Sequence, residues 1–137
     1  MADNVIIHRN DFPALIRNSP KLIDKAIDAL AQDGHRFIQQ GMEQSPPTGN
    51  IYMKPSGISH TASSPGNMPR IDDSILVNSL YVRPDGLAKR IIGVGAEHGF
   101  HLEFGTSEME ARPFMGPMIG HIQQVVNDGF FNDLLED

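Results

Sequence analysis

The side chains of this chain that could do chemistry are two histidines and a glutamate close together in sequence, His98, His101 and Glu103. Imidazole nitrogens and carboxylate oxygens are ligands for zinc or iron, and a helix places side chains three positions apart on one face. The spacing matches no established local metal signature, because the zinc-binding helix with histidines four positions apart is absent. We therefore expect surface or partly buried histidines near a subunit contact, and we keep a small metal-dependent hydrolase that uses this cluster as the alternative function.

The sequence offers no other catalytic or cofactor-binding signature. It contains no cysteine, which excludes disulfides, thiolate metal sites and the cysteine-dependent zinc site of deaminases. Gly93 and Gly95 follow an apolar run, but His98 stands where a dinucleotide-binding loop has its third glycine. No glycine-rich turn leads into the lysine of a phosphate loop, and no serine lies in a nucleophile-elbow context. The sequence therefore predicts no catalytic residue and no cofactor.

The charge balance argues against direct binding of nucleic acid. Seventeen acidic and eleven basic residues give a formal net charge of −6, and the basic residues are scattered along the chain. DNA-binding proteins depend on lysine and arginine for their contacts with phosphates, so a nucleic-acid-binding accessory protein is disfavoured. An acidic surface would instead repel DNA phosphates and let DNA pass without binding. Neither a signal peptide nor a run of about 20 apolar residues is visible, so we expect no membrane partner.

Helical periodicity is clearest between Ser19 and about Gln44. Ser19 is a residue type typical of an N-cap, and Pro20 suits the first helical position. Apolar residues recur three and four positions apart, at Leu22, Ile23, Ala26, Ile27, Leu30, Ala31, Phe37, Ile38 and Met42. Gly34 and Gly41 lie on or beside this face, where they permit the close approach of another backbone. The pattern predicts one long amphipathic helix.

The segment from Ser45 to Asp73 shows neither helical nor strand periodicity. It is dense in proline and glycine, with Pro46, Pro47, Gly49, Pro55, Gly57, Pro65, Gly66 and Pro69. An irregular segment of about 30 residues is uncommon inside a compact domain and is usually functional or disordered. We therefore predict a long loop that becomes ordered only against neighbouring subunits.

A small antiparallel sheet is expected after this loop. Ser79–Arg83 and Arg90–Val94 have the residue types of strands, and turn-forming residues lie between them, beginning with Pro84. Ala96–Phe104 fits either a short helix or a third strand. Near the N-terminus, Val5–Ile7 fits an edge strand.

A second amphipathic helix is predicted after Pro113 and Pro117. Its apolar stripe consists of Met118, Ile119, Ile122, Val125, Val126 and Phe130, and it runs on into Phe131, Leu134 and Leu135. Asp11–Ile16, before the first helix, fits a single helical turn. Together the elements predict one α+β domain over residues 1–137.

Two segments, His60–Val82 and Gly99–Ile119, carry most of an ordered set of short motifs. In chain order the motifs are Pro47-Thr48-Gly49, then Ala62, Pro65, Gly66 and Pro69, then Leu76 with Asn78-Ser79, then Glu103-Phe104-Gly105-Thr106, and last Ala111-Arg112-Pro113-Phe114. In order and spacing, from about Ser19 to Val126, the chain resembles the bacteriophage tail-completion or head–tail joining proteins. These are often described as gene-product-ten-like minor tail components of long-tailed phages. The family commonly has Asp-Thr-Gly before the leucine, where this chain has Asp72-Asp73-Ser74.

The resemblance implies a structural, non-enzymatic subunit of the virion, located at the junction between head and tail. Copies of it would form a ring, usually sixfold in this family, around the channel through which DNA passes without specific binding. One face of the ring would contact the head-closure or connector protein, and the other would contact the tail-terminator or tail-tube protein. During assembly the subunit would lie in the host cytoplasm.

Several motif residues are expected to form assembly contacts or to support the scaffold. The candidate contacts between subunits are Pro65, Gly66, Pro69, Glu103, Arg112 and Phe114. Gly105 suits a turn with positive φ, and Thr106 can cap that turn locally. Pro113 would fix the start of the last helix, while Phe114 would anchor the helix in the core. Glu103 and Arg112 could pair within or between subunits; otherwise Arg112 is a surface residue at a helix start.

Overall fold

Helices packed on one another and two short hairpins make up the fold. The computed structural model describes residues 19–72 and 74–132. In chain order these residues form α1 (Pro20–Glu43), β1 (Ile51–Met53), β2 (Ser59–Thr61), α2 (Ile75–Asn78), β3 (Leu80–Pro84), β4 (Arg90–Val94), α3 (His98–Phe104) and α4 (Met115–Asn127). The fold therefore belongs to the α+β class, as the sequence predicted. The strand expected at Val5–Ile7 and the helical turn expected at Asp11–Ile16 lie outside the described residues.

Helix α1 begins and ends where the periodicity of the sequence indicated. Pro20 lies in its first turn, where a missing amide hydrogen costs nothing. Ser19 occupies the N-cap position without a capping hydrogen bond from its side chain, and its carbonyl accepts one from the Ile23 amide at 3.1 Å. The face that α1 buries consists of Ile23, Leu30, Ala31, Gly34, Ile38 and Met42. Neither α1 nor any other helix among residues 19–72 and 74–132 is long and apolar enough to cross a membrane.

Helix α4 packs across α1, and their close approach depends on a glycine. A Cβ at Gly34 would lie only 3.0 Å from Ile122 Cδ1 and from Met118 Sδ. The larger core cluster contains Ile38, Met42, Val77, Leu80, Phe114 and Met118. A second cluster, nearer the start of α1, contains Ile23, Leu30, Val126 and Phe131. Most of the apolar stripes predicted for the two helices therefore meet in the core, but Leu22 of α1 and Ile119 of α4 are exposed. Helix α4 ends at Asn127, before Phe130 and Phe131 of its predicted stripe, and Leu134 and Leu135 lie outside the described residues.

Strands β3 and β4 form the antiparallel hairpin that the sequence predicted, within one residue of its expected bounds. Pairing runs from Leu80 opposite Val94 to Pro84 opposite Arg90. The segment Ala96–Phe104, for which helix and strand were both open, forms the helix α3 from His98 onward. A helix here places α3 between the β3–β4 hairpin and the start of α4.

The expectation that the segment from Ser45 to Asp73 lacks regular structure is wrong for its middle part. Strands β1 and β2 pair antiparallel there, beginning with Ile51 opposite Thr61. The connecting turn is closed by a hydrogen bond of 2.9 Å from the Gly57 amide to the Lys54 carbonyl, with Gly57 at φ +85°. Strands of three residues are too short to produce a recognisable alternation, so periodicity could not reveal them.

A group of charged side chains fastens the β3–β4 hairpin to α1. Arg90 donates hydrogen bonds from Nη2 to Asp24 Oδ2 at 2.9 Å and from Nε to Asp28 Oδ1 at 3.0 Å. The Ala88 amide also donates to Asp24 Oδ1, at 2.8 Å. The hydrogen bond from Arg90, followed by that from the Ala88 amide, holds the pKa of Asp24 below its ordinary value. Hydrogen bonds to Asp24 and Asp28 raise the pKa of Arg90 in turn.

We expect the free energy of unfolding to depend on pH through Asp24. Its pKa in the folded state is lower than the value of about 3.9 for an unfolded aspartate. The carboxylate therefore stabilises the fold fully above that value, and this contribution is lost as the pH falls through the folded pKa. Asp24→Asn should lower the urea midpoint at neutral pH, and its difference from the parent chain should shrink below about pH 4.

The matched control is Asp85→Asn, which removes an exposed i,i+4 ion pair with Lys89. Exposed pairs of this kind contribute little to stability, so this variant should unfold like the parent chain. Urea titrations of all three proteins across the acidic range measure the effect. If the Asp24→Asn difference were constant with pH, the carboxylate could not be the stabilising group.

Candidate functional site

Glu103 connects the end of α3 to the start of α4. Its Oε2 accepts hydrogen bonds from the amides of Phe114 and Met115 at 2.7 and 2.9 Å, and its Oε1 accepts one from the Gly116 amide at 2.9 Å. Amides at a helix start have no partner within the helix, and a negative charge there interacts favourably with the helix dipole. Glu103 is therefore the N-terminal cap of α4, supplied from another helix.

Arg112 is buried and joins the two segments that carry the motifs. Its Nε donates a hydrogen bond to the Ser63 carbonyl at 3.1 Å, and its backbone amide donates one to the Leu102 carbonyl at 2.6 Å. Only 8% of the residue is exposed, so the expectation of a surface position is wrong. The expected pairing of Glu103 with Arg112 does not form within the chain, because each side chain binds backbone groups instead.

We call Ser63, Glu103, Arg112 and Phe114 the motif junction. Around it the turn residues behave as the sequence predicted. Gly105 has φ +76°, and the Thr106 hydroxyl accepts a hydrogen bond from the amide two residues later at 3.2 Å. Pro113 precedes α4, and Phe114 is fully buried in the larger core cluster. The junction thus sets the position of α4 relative to α3 and to residues 62–69.

Gly49 lets the chain after α1 lie directly against the motif junction. Its amide donates a hydrogen bond of 2.8 Å to the Ala62 carbonyl, and a Cβ at this position would overlap the Ser63 carbonyl. The neighbouring Thr48 hydroxyl lies 2.7 Å from the Ser64 hydroxyl. The glycine of the Pro-Thr-Gly motif is therefore required by space, because a backbone carbonyl cannot yield as a flexible side chain can.

Gly49→Ala is expected to lower the free energy of unfolding by about 1–3 kcal/mol, the usual cost of overpacking a site that cannot relax. Gly120 is the matched control, since it lies in α4 with nothing within 4 Å of the position of a Cβ. Gly120→Ala should stabilise the chain by about 0.5–1 kcal/mol, because alanine favours a helix interior over glycine. Denaturant unfolding of both variants checks the prediction, and a stabilising effect at Gly49 would contradict the close contact.

The two histidines of the predicted cluster lie on the opposite side of α3 from Glu103. His98 and His101 are exposed and line a cavity of about 610 Å³ beneath the β1–β2 hairpin, together with Tyr52 and His60. Glu103 lines a separate groove on the far side of the helix. The three side chains do not converge, and the described ranges contain no group of three His, Cys, Asp or Glu residues that could hold a metal ion.

Two histidines outside the predicted cluster, His60 and His121, each lie close to a carboxylate. His60 Nδ1 lies 3.5 Å from Asp72 Oδ1. His121 Nε2 lies 2.7 Å from Asp33 Oδ2, and its ring stacks on Phe37 with centroids 4.4 Å apart. His121 thus links α4 to α1, and His60 links β2 to the segment before α2.

An apolar groove of about 630 Å³ runs between α3 and the start of α4. Phe100 and Phe104 stand on its wall with ring centroids 4.9 Å apart, and they are 65% and 69% exposed. Ile119 of α4 also lines the groove and is exposed. We call this groove, with Phe100, Phe104 and Ile119 on its wall, the α3–α4 groove. Clustered apolar side chains on a surface mark sites of protein contact.

Three of the six candidate contact residues lie inside the subunit: Pro69, Arg112 and Phe114. Glu103 is half-buried with both carboxylate oxygens occupied, whereas Pro65 and Gly66 are exposed in a turn. The buried residues can influence a neighbouring subunit only by fixing the surface above them. Direct contact through Pro65 and Gly66 stays a prediction.

Sequence reasoning missed the α3–α4 groove and the role of Glu103 as a helix cap. The available signal for the groove was the spacing of Phe100 and Phe104, four positions apart in a segment that fitted a helix. Nothing local signalled the cap, because Glu103 reaches amides eleven to thirteen positions later in the chain.

No protein-family model, no curated protein and no solved structure matches this chain.

Proposed function

We propose that this chain is a structural subunit of the head–tail junction of a long-tailed bacteriophage. Its copies form a ring, six in the arrangement usual for such proteins, between the head-closure or connector protein and the tail-terminator or tail-tube protein. DNA passes through the ring without specific binding. The subunit carries out no reaction and needs no cofactor.

The observation that carries the proposal is that the two motif-bearing segments build one structural unit. The Arg112 side chain holds the Ser63 carbonyl, and the Gly66 amide donates a hydrogen bond to the Ala111 carbonyl at 3.0 Å. Glu103 then ties the same unit to α4. Motifs that resemble one family by their order along the chain thus contact one another in the fold, as the parts of a single scaffold would.

Exposed apolar side chains and the net charge support a role in assembly. Large apolar residues are exposed both in the α3–α4 groove and on the β1–β2 hairpin. Surfaces of this kind usually bind other proteins. The formal charge of −6 suits a channel wall from which DNA phosphates are repelled.

The metal-dependent hydrolase has no comparable support. A catalytic zinc ion needs about three protein ligands. Both carboxylate oxygens of Glu103 instead accept hydrogen bonds from amides at the start of α4, and the side chain faces away from His98 and His101. Metal analysis of the purified chain is expected to find no stoichiometric zinc, iron or manganese. A stoichiometric metal that is lost in the His98→Ala/His101→Ala double variant would favour the hydrolase instead.

The β1–β2 hairpin is expected to be the least protected part of the isolated subunit. A two-stranded hairpin is only marginally stable alone, and all three residues of β1 are exposed. Residues 62–72 should be better protected, because they are tied to the rest of the subunit. The Ser45 hydroxyl donates a hydrogen bond of 2.5 Å to the Met68 carbonyl, and Arg112 Nε donates one to the Ser63 carbonyl. Hydrogen exchange should be fast at residues 51–61 in the monomer and slow in assembled particles. Strong protection in the monomer would contradict ordering by neighbouring subunits.

Deletion of the gene from the phage that encodes this chain tests the proposal. Heads and tails should each be completed, because neither depends on the joint between them. Electron micrographs of the lysate should therefore show DNA-filled heads and free tails with few joined particles, and a plasmid copy should restore joining. Normally joined virions, or a defect confined to replication or lysis, would refute the proposed function.

A further inference from the structure

Two arginine side chains are anchored next to each other in the wall of the cavity beneath the β1–β2 hairpin. Arg70 Nη1 donates a hydrogen bond to the Thr61 carbonyl at 2.9 Å, and Arg112 Nε donates one to the Ser63 carbonyl at 3.1 Å. Residues two positions apart are separated by at most about 7 Å of backbone. Because both arginines also line the cavity, their guanidinium groups are held close together at its surface.

Neither guanidinium forms an ion pair with a carboxylate among residues 19–72 and 74–132. Arg112 Nη1 lies 3.4 Å from the Glu110 carbonyl, and its Nη2 forms no hydrogen bond within these ranges. Backbone carbonyls supply hydrogen bonds but no opposite charge. Arg112 is only 8% exposed, and a buried charge is costly unless an opposite charge accompanies it. The repulsion between two cations held close together adds to this cost, and an anion between them would offset both.

The acidic side chains that line the cavity do not supply the missing charge. Asp72 forms an ion pair with Lys54, and its Oδ1 also lies 3.5 Å from His60 Nδ1. Glu108 is exposed beyond the end of α3 and pairs with neither arginine. Because Lys54 neutralises Asp72, the remaining permanent charges are two arginines and one exposed glutamate. The cavity is therefore a positive site in a chain whose net charge is −6.

The remaining lining of the cavity combines hydrogen-bond donors with apolar side chains. His98 and His101 line its exposed side, and their rings form no hydrogen bond or ion pair with the described residues. A neutral imidazole donates one hydrogen bond, and a protonated one donates two. Small-molecule sites are concave, have volumes of about 300–1,000 Å³, and join a mostly apolar wall to a few polar groups. The cavity has this size, and its apolar lining consists of Met42, Ile71, Leu76, Val77, Leu102 and Met109 among others.

We infer that this cavity binds a small organic anion, in which a carboxylate or a phosphate group is attached to an apolar body. Arg70 and Arg112 bind the anionic group, because a guanidinium presents its donors in a fork that matches carboxylate and phosphate oxygens. His98 and His101 donate further hydrogen bonds, and the apolar lining receives the body of the ligand. The inference goes beyond the proposed function and does not depend on it, because it concerns the isolated subunit.

Titration of the ¹⁵N-labelled chain with benzoate, phenyl phosphate and benzamide tests the site. Benzamide has nearly the shape of benzoate without its charge and is the matched control ligand. At constant ionic strength, we expect at least one of the two anions to bind with a dissociation constant in the millimolar range or below. Its binding should shift the amide signals of residues 61–63, 70 and 112, and benzamide should bind at least about tenfold more weakly.

Whichever anion binds more tightly identifies the anionic group of the ligand. No binding of either anion, equal binding of benzamide, or shifts confined to the α3–α4 groove would overturn the inference.

Variants of the lining locate the binding site. Arg70→Gln should weaken anion binding about tenfold or more, because it removes a charged hydrogen-bond donor. His98→Gln/His101→Gln changes only exposed positions, so it should fold like the parent chain and weaken binding by a smaller factor. The matched control is Arg83→Gln, which removes the same charge from an exposed position of β3 outside the cavity. Unchanged affinity in the histidine variant, or equal weakening by Arg70→Gln and Arg83→Gln, would overturn the inference.

Discussion

Phe114→Asp is expected to prevent the chain from folding. Phe114 is fully buried in the cluster formed with Ile38, Met42, Val77, Leu80 and Met118. Loss of a buried phenylalanine costs about 3–5 kcal/mol, and an unpaired carboxylate in its place adds a further penalty. Since small domains are stable by only about 5–15 kcal/mol, the variant should lose most or all of its stability. Circular dichroism in the absence of denaturant should show an unfolded chain.

Phe114→Leu is the control for this prediction, because it keeps an apolar side chain at the same position. It should fold and unfold cooperatively, with a stability loss of about 1–2 kcal/mol. In the phage, Phe114→Asp should reproduce the deletion while Phe114→Leu should still yield joined particles. A cooperative transition for Phe114→Asp near the parent midpoint would mean that this residue is not in the core.

Glu103→Ala is expected to lower the free energy of unfolding by about 2–3 kcal/mol, the second largest effect. The variant leaves the amides of Phe114, Met115 and Gly116 without the carboxylate that accepts their hydrogen bonds. It also removes a negative charge from the positive end of α4. Denaturant titration at neutral pH measures the loss.

Two further variants distinguish capping from a simple loss of charge. Glu103→Gln keeps one acceptor oxygen and should lose about half as much stability as Glu103→Ala. Glu97→Ala removes an exposed acid just before α3 and should change stability by less than about 0.5 kcal/mol. Equal losses in Glu97→Ala and Glu103→Ala would contradict the cap and indicate a general effect of charge.

The elements that could be predicted from the sequence are those whose pattern repeats along the chain. The spacing of Ile23, Leu30 and Ile38 sufficed for α1, because a helix that buries one face must repeat its apolar residues at helical intervals. The turn after Phe104 was also predictable, since Gly105 suits a positive φ. Both depend on interactions among residues that are neighbours in sequence.

The features that escaped prediction depend on residues far apart in the chain. Arg90 meets Asp24 across 66 positions, and Arg112 meets Ser63 across 49. No local pattern distinguishes these arginines from exposed ones. The β1–β2 hairpin escaped for a different reason, because its strands are short and uncovered and therefore lack the alternation that burial of one face imposes. If a neighbouring subunit covers the hairpin, its apolar residues are buried only in the assembly.

Reconstitution of infectious particles from separated parts tests the central claim most directly. DNA-filled heads and complete tails, taken from a lysate of the deletion phage, are mixed with the purified chain, and infectious particles are counted. We predict that the titre rises many-fold with added chain and that micrographs then show heads joined to tails. A titre that is unaffected by the chain, or heads and tails that join equally well without it, would contradict the account.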